Sequence, residues 1–480
     1  MRENLKSKVT TGILWGGLNN GSQQILNLVI GIFLARLLTP ADYGMVGVLT
    51  IFSALAGAMQ EGGFISALTN KKHTTHADYN SVFWFSLTCG ITLYLILFFL
   101  APLIARFYNL PSLTSLARFI FLGFLFSSMN IAPRAILFKN LRVKQNSLVT
   151  LISLAISGLV GVYLAYSGAA YWGLAAQTVT YTFSVTFFSF YFTGWKPSLK
   201  ITLKPAKEML GYGSRLVATN IFTTLNNNIF AVLLGKFYTA ADVGAFNQAS
   251  KWNGMGYSTI SGMMNNVAQP AMTQVTDNPQ RIVQVFRKLL RFTAFVSFPL
   301  MLGLALVAHE FIIIAIGEKW VFSATILQLL CLWGGFYPIS HLMGNLLLSQ
   351  GRSGAYMWNT IILALIQIMA VYFTYPYGLY QMLYVFIAIN IAWVAVWYYI
   401  SCRHIQLGSF QFAKDILPFF LIAVVAFLVA FFICTAITNL YAAFFAKIAI
   451  MASVYLGLLW VMRARILKES LEYLKNRIKF

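Results

Sequence analysis

Apolar residues run along this chain in blocks of roughly twenty or more, each closed by a short polar stretch, and a helix of about that length spans the hydrocarbon of a bilayer. Hydrocarbon offers no water to the backbone, so such blocks predict helices rather than open strands. Fourteen can be drawn, at about 11–37, 43–68, 81–107, 114–137, 147–167, 171–194, 211–235, 243–270, 291–316, 322–349, 354–375, 378–401, 414–437 and 441–462. The pattern therefore predicts an all-α polytopic membrane protein with 14 transmembrane helices.

The polar stretch that closes the first block, LARLLTPADYG at 34–44, returns as LGKFYTAADVG at 234–244. Leu34, Thr39, Ala41, Asp42 and Gly44 recur as Leu234, Thr239, Ala241, Asp242 and Gly244, and Arg36 is answered by Lys236. Thr39, Pro40 and Asp42 suit the first positions of a helix: a hydroxyl for an orphan N–H, a proline with no N–H to lose, and a carboxylate at the positive end of the dipole. Each copy is expected to start a helix, the second and the eighth span, with Arg36 and Lys236 snorkelling to the interface.

Six spans separate the copies, and six is even, so the two halves face the same way across the membrane. That predicts parallel repeats about a pseudo-two-fold axis, as in secondary transporters. Asn20 and Asn27 recur as Asn220 and Asn227; Asn20, Gln24 and Asn27, like Asn220, Thr224 and Asn227, fall on one helical face at i, i+4 and i+7. Amides on such a stripe either lock helices together or line a wet cavity. The repeat predicts an N-terminal six-helix bundle at 1–200, a second at 201–405, and two extra helices with a basic amphipathic tail at 406–480.

Composition agrees. A chain of 480 residues with 59% apolar and only 10% charged residues is no string of soluble domains, where roughly a quarter are charged. A net charge of +22 raises the question of nucleic acid, but 26 of the 34 Lys and Arg fall at the N-terminus, the even-numbered loops and the C-terminus. The positive-inside rule makes those regions cytoplasmic, puts both termini inside, and leaves no call for a nucleic-acid partner. The first span is too long for a cleaved signal peptide. In the tail, Leu467, Leu471, Leu474 and Ile478 share a face, which predicts an amphipathic helix on the anionic inner leaflet. Cys89, Cys331, Cys402 and Cys434 show neither metal-ligand spacing nor a disulfide frame.

Several stretches together carry a family likeness: EGGFISALTNKKHTTHADYNSVFW at 61–84, APLIARFYNLPSL at 101–113, APRAILFKNLRVKQ at 132–145, LGKFYTAADVGAFNQASK at 234–251, PAMTQVTDNPQRIVQVFRK at 270–288 and AHEFIIIAIGEKW at 308–320. Over roughly residues 1–400 the chain resembles flippases of the multidrug/oligosaccharidyl-lipid/polysaccharide (MOP) superfamily, of the Wzx and WzxC type. The resemblance implies two six-helix bundles in a V around a central cavity, plus two extra helices. It implies a substrate of undecaprenyl-diphosphate-linked oligosaccharide (O-antigen, capsule or exopolysaccharide repeat unit), moved from the cytoplasmic to the outer leaflet of the bacterial inner membrane by alternating access. Membrane lipids and the polysaccharide polymerase machinery are then the expected partners.

A diphosphate headgroup needs cations, and a sugar needs amides and aromatic faces. Among charged residues within the spans, Arg215 and Lys251 are the candidate cavity cations, although Arg215 is shallow enough to snorkel. Arg134 and Arg142, with Lys139 and Lys144, lie where the fourth span meets the cytoplasm, either as topology charges or as a first landing point for the diphosphate. Glu61 and Glu310, carboxylates inside spans, are the candidates for coupling to a proton or sodium gradient; no cofactor or metal is expected. Pro299 and Pro338 are expected to kink spans 9 and 10.

A membrane-embedded sugar polymerase or ligase would need a sizeable outer catalytic loop, and every outer loop is under about ten residues, so the chain is read as no enzyme. A multidrug (MATE-type) cation antiporter should bury more acids than bases, and Arg215 and Lys251 against Glu61 tilt the other way. A lipid II flippase should carry a denser set of cavity arginines.

Overall fold

In the computed structural model the described residues are 21–199 except 62, 63, 72 and 141, then 205, 221, 224, 225 and 228–275, and 278–466 except 465. Every regular element among them is helical. In chain order these are α1 (Gly21–Leu37), α2 (Pro40–Gly47), α3 (Thr50–Glu61), α4 (Phe64–Asn70), α5 (His76–Tyr108), α6 (Leu113–Ile120), α7 (Leu122–Lys139), α8 (Val143–Tyr166), α9 (Tyr171–Thr193), α10 (Asn228–Phe237), α11 (Ala240–Thr273), α12 (Pro279–Ile316), α13 (Val321–Ser349), α14 (Ser353–Thr374), α15 (Leu379–Ser401), α16 (Ser409–Cys434) and α17 (Leu440–Val461).

Among the described residues nine helices, counting α6 and α7 as one, are long and apolar enough to cross a membrane. They occupy nine of the fourteen predicted blocks. The blocks at 11–37 and 211–235 fall partly outside the described residues, as does the predicted amphipathic tail helix. The block at 43–68 is three helices, α2 ending at Gly47 and α3 starting where Thr50 Oγ1 donates to the Gly47 carbonyl at 2.7 Å. α9 is a helix, but too rich in Thr and Ser to count as plainly apolar. Its hydroxyls are absorbed locally: Thr178 donates to Leu174, Thr193 to Ser189, and Thr186 to Phe126 of α7, at 2.7–2.9 Å. α11 covers the fifth of the remaining blocks and bears on function.

The chain divides into two compact units, Met1–Gly244 and Ala245–Phe480. In the first, α8 and α9 pack through small residues: a Cβ on Gly173 would meet the Gly161 carbonyl at 3.0 Å, and one on Gly161 would meet Gln177 at 2.9 Å. The segment after α9 is pinned to α5. Trp84 Nε1 donates to the Ser198 carbonyl at 2.8 Å, the Ser198 amide donates to Asn80 Oδ1 at 2.8 Å, and the Trp195 ring lies against Phe83 and Phe190.

The repeated turn has the predicted local structure. Thr39 accepts from the Asp42 amide at 3.3 Å while Asp42 takes the Thr39 amide at 2.9 Å; Thr239 and Asp242 do the same at 3.3 and 3.1 Å. Between α1 and the helix that follows, the chain bends by 119°. Thr39→Ala and Thr239→Ala each remove one cap, so each should cost about 1 kcal/mol and lower the melting temperature of the detergent-purified protein modestly. No loss at either site would mean the caps are redundant. Lys236 Nζ donates to the Phe107 carbonyl at 2.8 Å, closing the C-terminal end of α5.

What the sequence did not show is why Gly44 and Gly244 recur. A Cβ on Gly44 would overlap the Ala240 carbonyl, and one on Gly244 would overlap the Pro40 carbonyl, with the Gly44 amide beside it. The two helix starts cross there backbone against backbone, which only residues without a side chain permit.

The second unit is built on α12 and α13, joined at mid-length by Ser297 Oγ donating to the Gly335 carbonyl at 2.8 Å. α16 and α17 pack on α12, filling one buried core with Phe286, Phe298, Phe419 and Tyr455. Arg287 grips Asp415 at the starts of α12 and α16, so those helices run parallel. Lys447 meets Glu310 and Tyr455 Oη donates to the Phe295 carbonyl at 2.9 Å, so α17 runs antiparallel to α12.

Candidate functional site

α11 is a 34-residue helix whose sequence mixes Asn, Gln, Ser and Thr through a span-length segment. Polar residues on a membrane helix must be satisfied by neighbours or face water. Several have no partner among the described residues. Gln248 is 1% exposed, yet neither its Oε1 nor its Nε2 has a partner among the described residues. The same holds for Asn253 Oδ1, Ser261 Oγ and the indole nitrogen of Trp252, whose ring stands edge-on against Phe311 of α12 at 4.9 Å. A buried hydrogen-bonding group left unmade costs about 1–3 kcal/mol, so a native fold keeps such a set only where water or a ligand serves it.

Beside these amides lies an aromatic group. Tyr257 of α11 packs against Tyr337 of α13 with ring centroids 4.1 Å apart and the planes tilted by 34°. Trp333 and His341 flank Tyr337 at 6.0 and 6.1 Å, and His341 Nδ1 pairs with the Asn345 amide nitrogen at 3.3 Å. Lys251 is exposed, as are Ser258 and Thr259 about two turns on. At about 100° per residue, Gln248 lies roughly 60° from Lys251 around α11, while Asn253 and Tyr257 lie roughly 160° and 120° from it, so the helix carries an exposed cation on one side and buried amides with a close aromatic pair on the other, groups suited to a charged, hydroxyl-rich molecule.

The predicted site residues are distributed as follows. Asn20, Arg215, Asn220 and Asn227 lie outside the described residues. Gln24 and Asn27 are exposed on α1. Thr224 is half-buried, its carbonyl accepting from Asn228 Nδ2 at 2.9 Å. Arg134 is exposed and close enough to Tyr181 for the two to interact. Arg142 donates to the Phe192 carbonyl at 3.3 Å, and Lys139 donates to the Leu68 and Lys71 carbonyls, closing the end of α4. Those two cations therefore have structural work at helix ends. Glu61 is the last residue of α3. Glu310 is buried and held by Lys447 at 2.5 Å. Pro299 and Pro338 lie inside α12 and α13 as expected.

Sequence reasoning did not select Gln248, Asn253, Tyr257, Tyr337 or Asp415. The signal for the first three was present: α11 breaks the apolar pattern that its neighbours keep. Tyr337 and Asp415 acquire meaning only from partners far away in the chain.

A family model described as polysaccharide biosynthesis protein matches residues 33–325. The lipopolysaccharide biosynthesis protein WzxC of Escherichia coli is 25% identical over 354 residues, covering 72% of this chain and 71% of that protein. The teichuronic acid biosynthesis protein TuaB of Bacillus subtilis is 23% identical over 364 residues, covering 75% of each. Among solved structures, the lipid II flippase MurJ in an inward closed conformation superposes with a TM-score of 0.78 at 16% identity, over 95% of this chain and 99% of that one. An inward-facing MATE family transporter of the MOP superfamily gives 0.65 at 16% identity, over 80% and 94%. These two likenesses establish a shared fold.

Proposed function

Because the chain belongs to the polysaccharide biosynthesis protein family, we propose that it is a flippase. Its cargo in this reading is an undecaprenyl-diphosphate-linked oligosaccharide, a repeat unit of O-antigen, capsule or exopolysaccharide, carried from the cytoplasmic to the outer leaflet of the inner membrane. The names of WzxC and TuaB, both of envelope-polysaccharide biosynthesis, support the class of cargo. The observation that carries the reading is Gln248: an amide buried with neither end paired among the described residues, on a membrane helix that also presents Lys251.

Lys251 then meets the diphosphate, while the α11 amides and the Tyr257–Tyr337 pair meet sugar hydroxyls and ring faces. Fourteen spans, with bundles at 1–200 and 201–405 rocking to give alternating access, are the arrangement this mechanism uses. Both termini lie in the cytoplasm. Glu61 is the coupling carboxylate for a proton or sodium gradient, since Glu310 is already committed to Lys447.

Depleting the protein in its host should make undecaprenyl-linked repeat units accumulate on the cytoplasmic leaflet; normal leaflet distribution after depletion would remove the assignment. Lys251→Ala and Gln248→Leu should each lower transport by roughly an order of magnitude, the loss expected for a charge-assisted hydrogen bond or an amide contact, with protein levels unchanged. Full transport in both variants would dismiss this face.

A further inference from the structure

A second polar site lies in the second unit, away from the α11 face, where α12, α16 and the residues after α17 enclose a cavity of about 630 Å³. Four cations, Arg287, Lys288, Arg291 and Lys414, line it together with one carboxylate, Asp415. Asp415 is 3% exposed and takes Arg287 in a two-pronged pair, Nε at 2.6 Å and Nη2 at 3.0 Å, with Arg291 Nε 3.6 Å away. Among the described lining residues, four side chains are cationic and one is anionic.

The carboxylate orders two guanidiniums, Arg287 by a two-pronged pair and Arg291 alongside, an arrangement that holds arginines ready for an anion. The remaining lining is apolar: Phe410, 79% exposed, Pro418, Phe419 and Ile466. Cations beside an exposed aromatic and a proline match a molecule with a charged head and a hydrocarbon tail. A soluble anion has no use for the apolar side, and a neutral lipid has none for the charge. The volume is in the range that ordinary ligand sites occupy. Arg287, Lys288, Arg291 and Lys414 lie in the N-terminal parts of α12 and α16, and basic pockets at helix ends are where anionic headgroups collect.

We propose that this cavity is a binding site for the phosphate headgroup of an anionic phospholipid. Guanidinium and ammonium groups hold the phosphodiester oxygens while Phe410 and Pro418 receive the start of the acyl chains. The lipid so held bridges α12 to α16 and ties the terminal helix pair to the leaflet. This is independent of which cargo the protein moves, so failure of the transport reading leaves it standing, and its own failure leaves the transport reading standing.

The test uses the full chain, purified and delipidated, with lipid retention read by native mass spectrometry and melting temperature read in parallel. The probes are dioleoyl phosphatidylglycerol, dioleoyl phosphatidylcholine, farnesyl diphosphate and inorganic phosphate. Phosphatidylglycerol should be retained at least about tenfold more tightly than phosphatidylcholine and should raise the melting temperature. Lys288→Gln combined with Lys414→Gln, which leaves the Arg287–Asp415 pair intact, should erase most of that preference. Inorganic phosphate binding as well as phosphatidylglycerol would identify a free-anion site and overturn the lipid assignment. Farnesyl diphosphate displacing the phospholipid at equal concentration would identify a site for polyprenyl diphosphates instead. Unchanged phosphatidylglycerol preference in the double variant would remove the site from this cavity. Should that variant fail to fold, the salt dependence of wild-type retention decides: a steep fall with ionic strength supports headgroup contact, and a flat response excludes it.

Discussion

Lys447→Met should destabilise the second unit by about 3–5 kcal/mol, the largest loss expected from any single polar side chain described. Lys447 and Glu310 meet at 2.5 Å with side chains only 14% and 10% exposed, on helices α17 and α12. Lys447 Nζ also reaches the Leu306 carbonyl at 3.4 Å. Removing the cation strands a carboxylate in a low-dielectric interior. The pair itself is worth much less than that loss, because bringing both charges out of water has already consumed most of their attraction. Combining Lys447→Met with Glu310→Leu should therefore recover most of the stability, and the double variant should melt near the wild type. Thermal denaturation followed by fluorescence size-exclusion would show it. Should the single variant melt like wild type, or the double variant melt no higher than the single, the pair is not the buried couple its geometry implies.

The second large effect concerns the crossing of the repeated turns. Gly44→Val and Gly244→Val should each abolish accumulation of folded protein, and even alanine should cost at or beyond the upper end of the about 1–3 kcal/mol typical of overpacking. The obstacle in each case is a backbone carbonyl, Ala240 for one and Pro40 for the other, and each belongs to the first turn of a helix fixed by its Thr–Asp capping box. A side chain in the way could swing aside; these atoms can move only if the helices separate. Gly57 supplies the control, since a Cβ there meets nothing within 4 Å and Gly57→Ala inside α3 should be neutral or slightly stabilising. Folded protein in normal yield from Gly44→Val would show that the crossing is looser than described.

The sequence was most informative where the determinant was local. Thr39 and Asp42 announced a helix start because capping depends on residues three apart, and both copies carry the box. Nine of the fourteen blocks stand as single apolar spans because hydrocarbon rewards a continuous apolar run whatever the tertiary context. Legibility failed where partners lie far apart in the chain. Asp415 looks like a stray acid among basic residues until Arg287, 128 positions away, closes on it. Glu310 reads as a free carboxylate until Lys447 arrives from 137 positions away. Lys139 and Lys236 read as interface charges, yet both close helix ends in other elements.

Part of the candidate site was visible. Lys251 stood out as a cation in an apolar setting, but the amides around it mattered as much and were harder to weigh. A Gln at 1% exposure and one facing solvent look identical in a string of letters. The repeated Gly44 and Gly244 were seen as part of a pattern, while their reason, two backbones touching, is a fact of three dimensions only.

One ion pair holds each end of the α12 face against the last two helices, and Tyr455 pins the middle. That hairpin has no slack to slide along its track. A tilt of α12 should therefore carry α16 and α17 with it, and lipid around that hairpin should respond to the movement of α12.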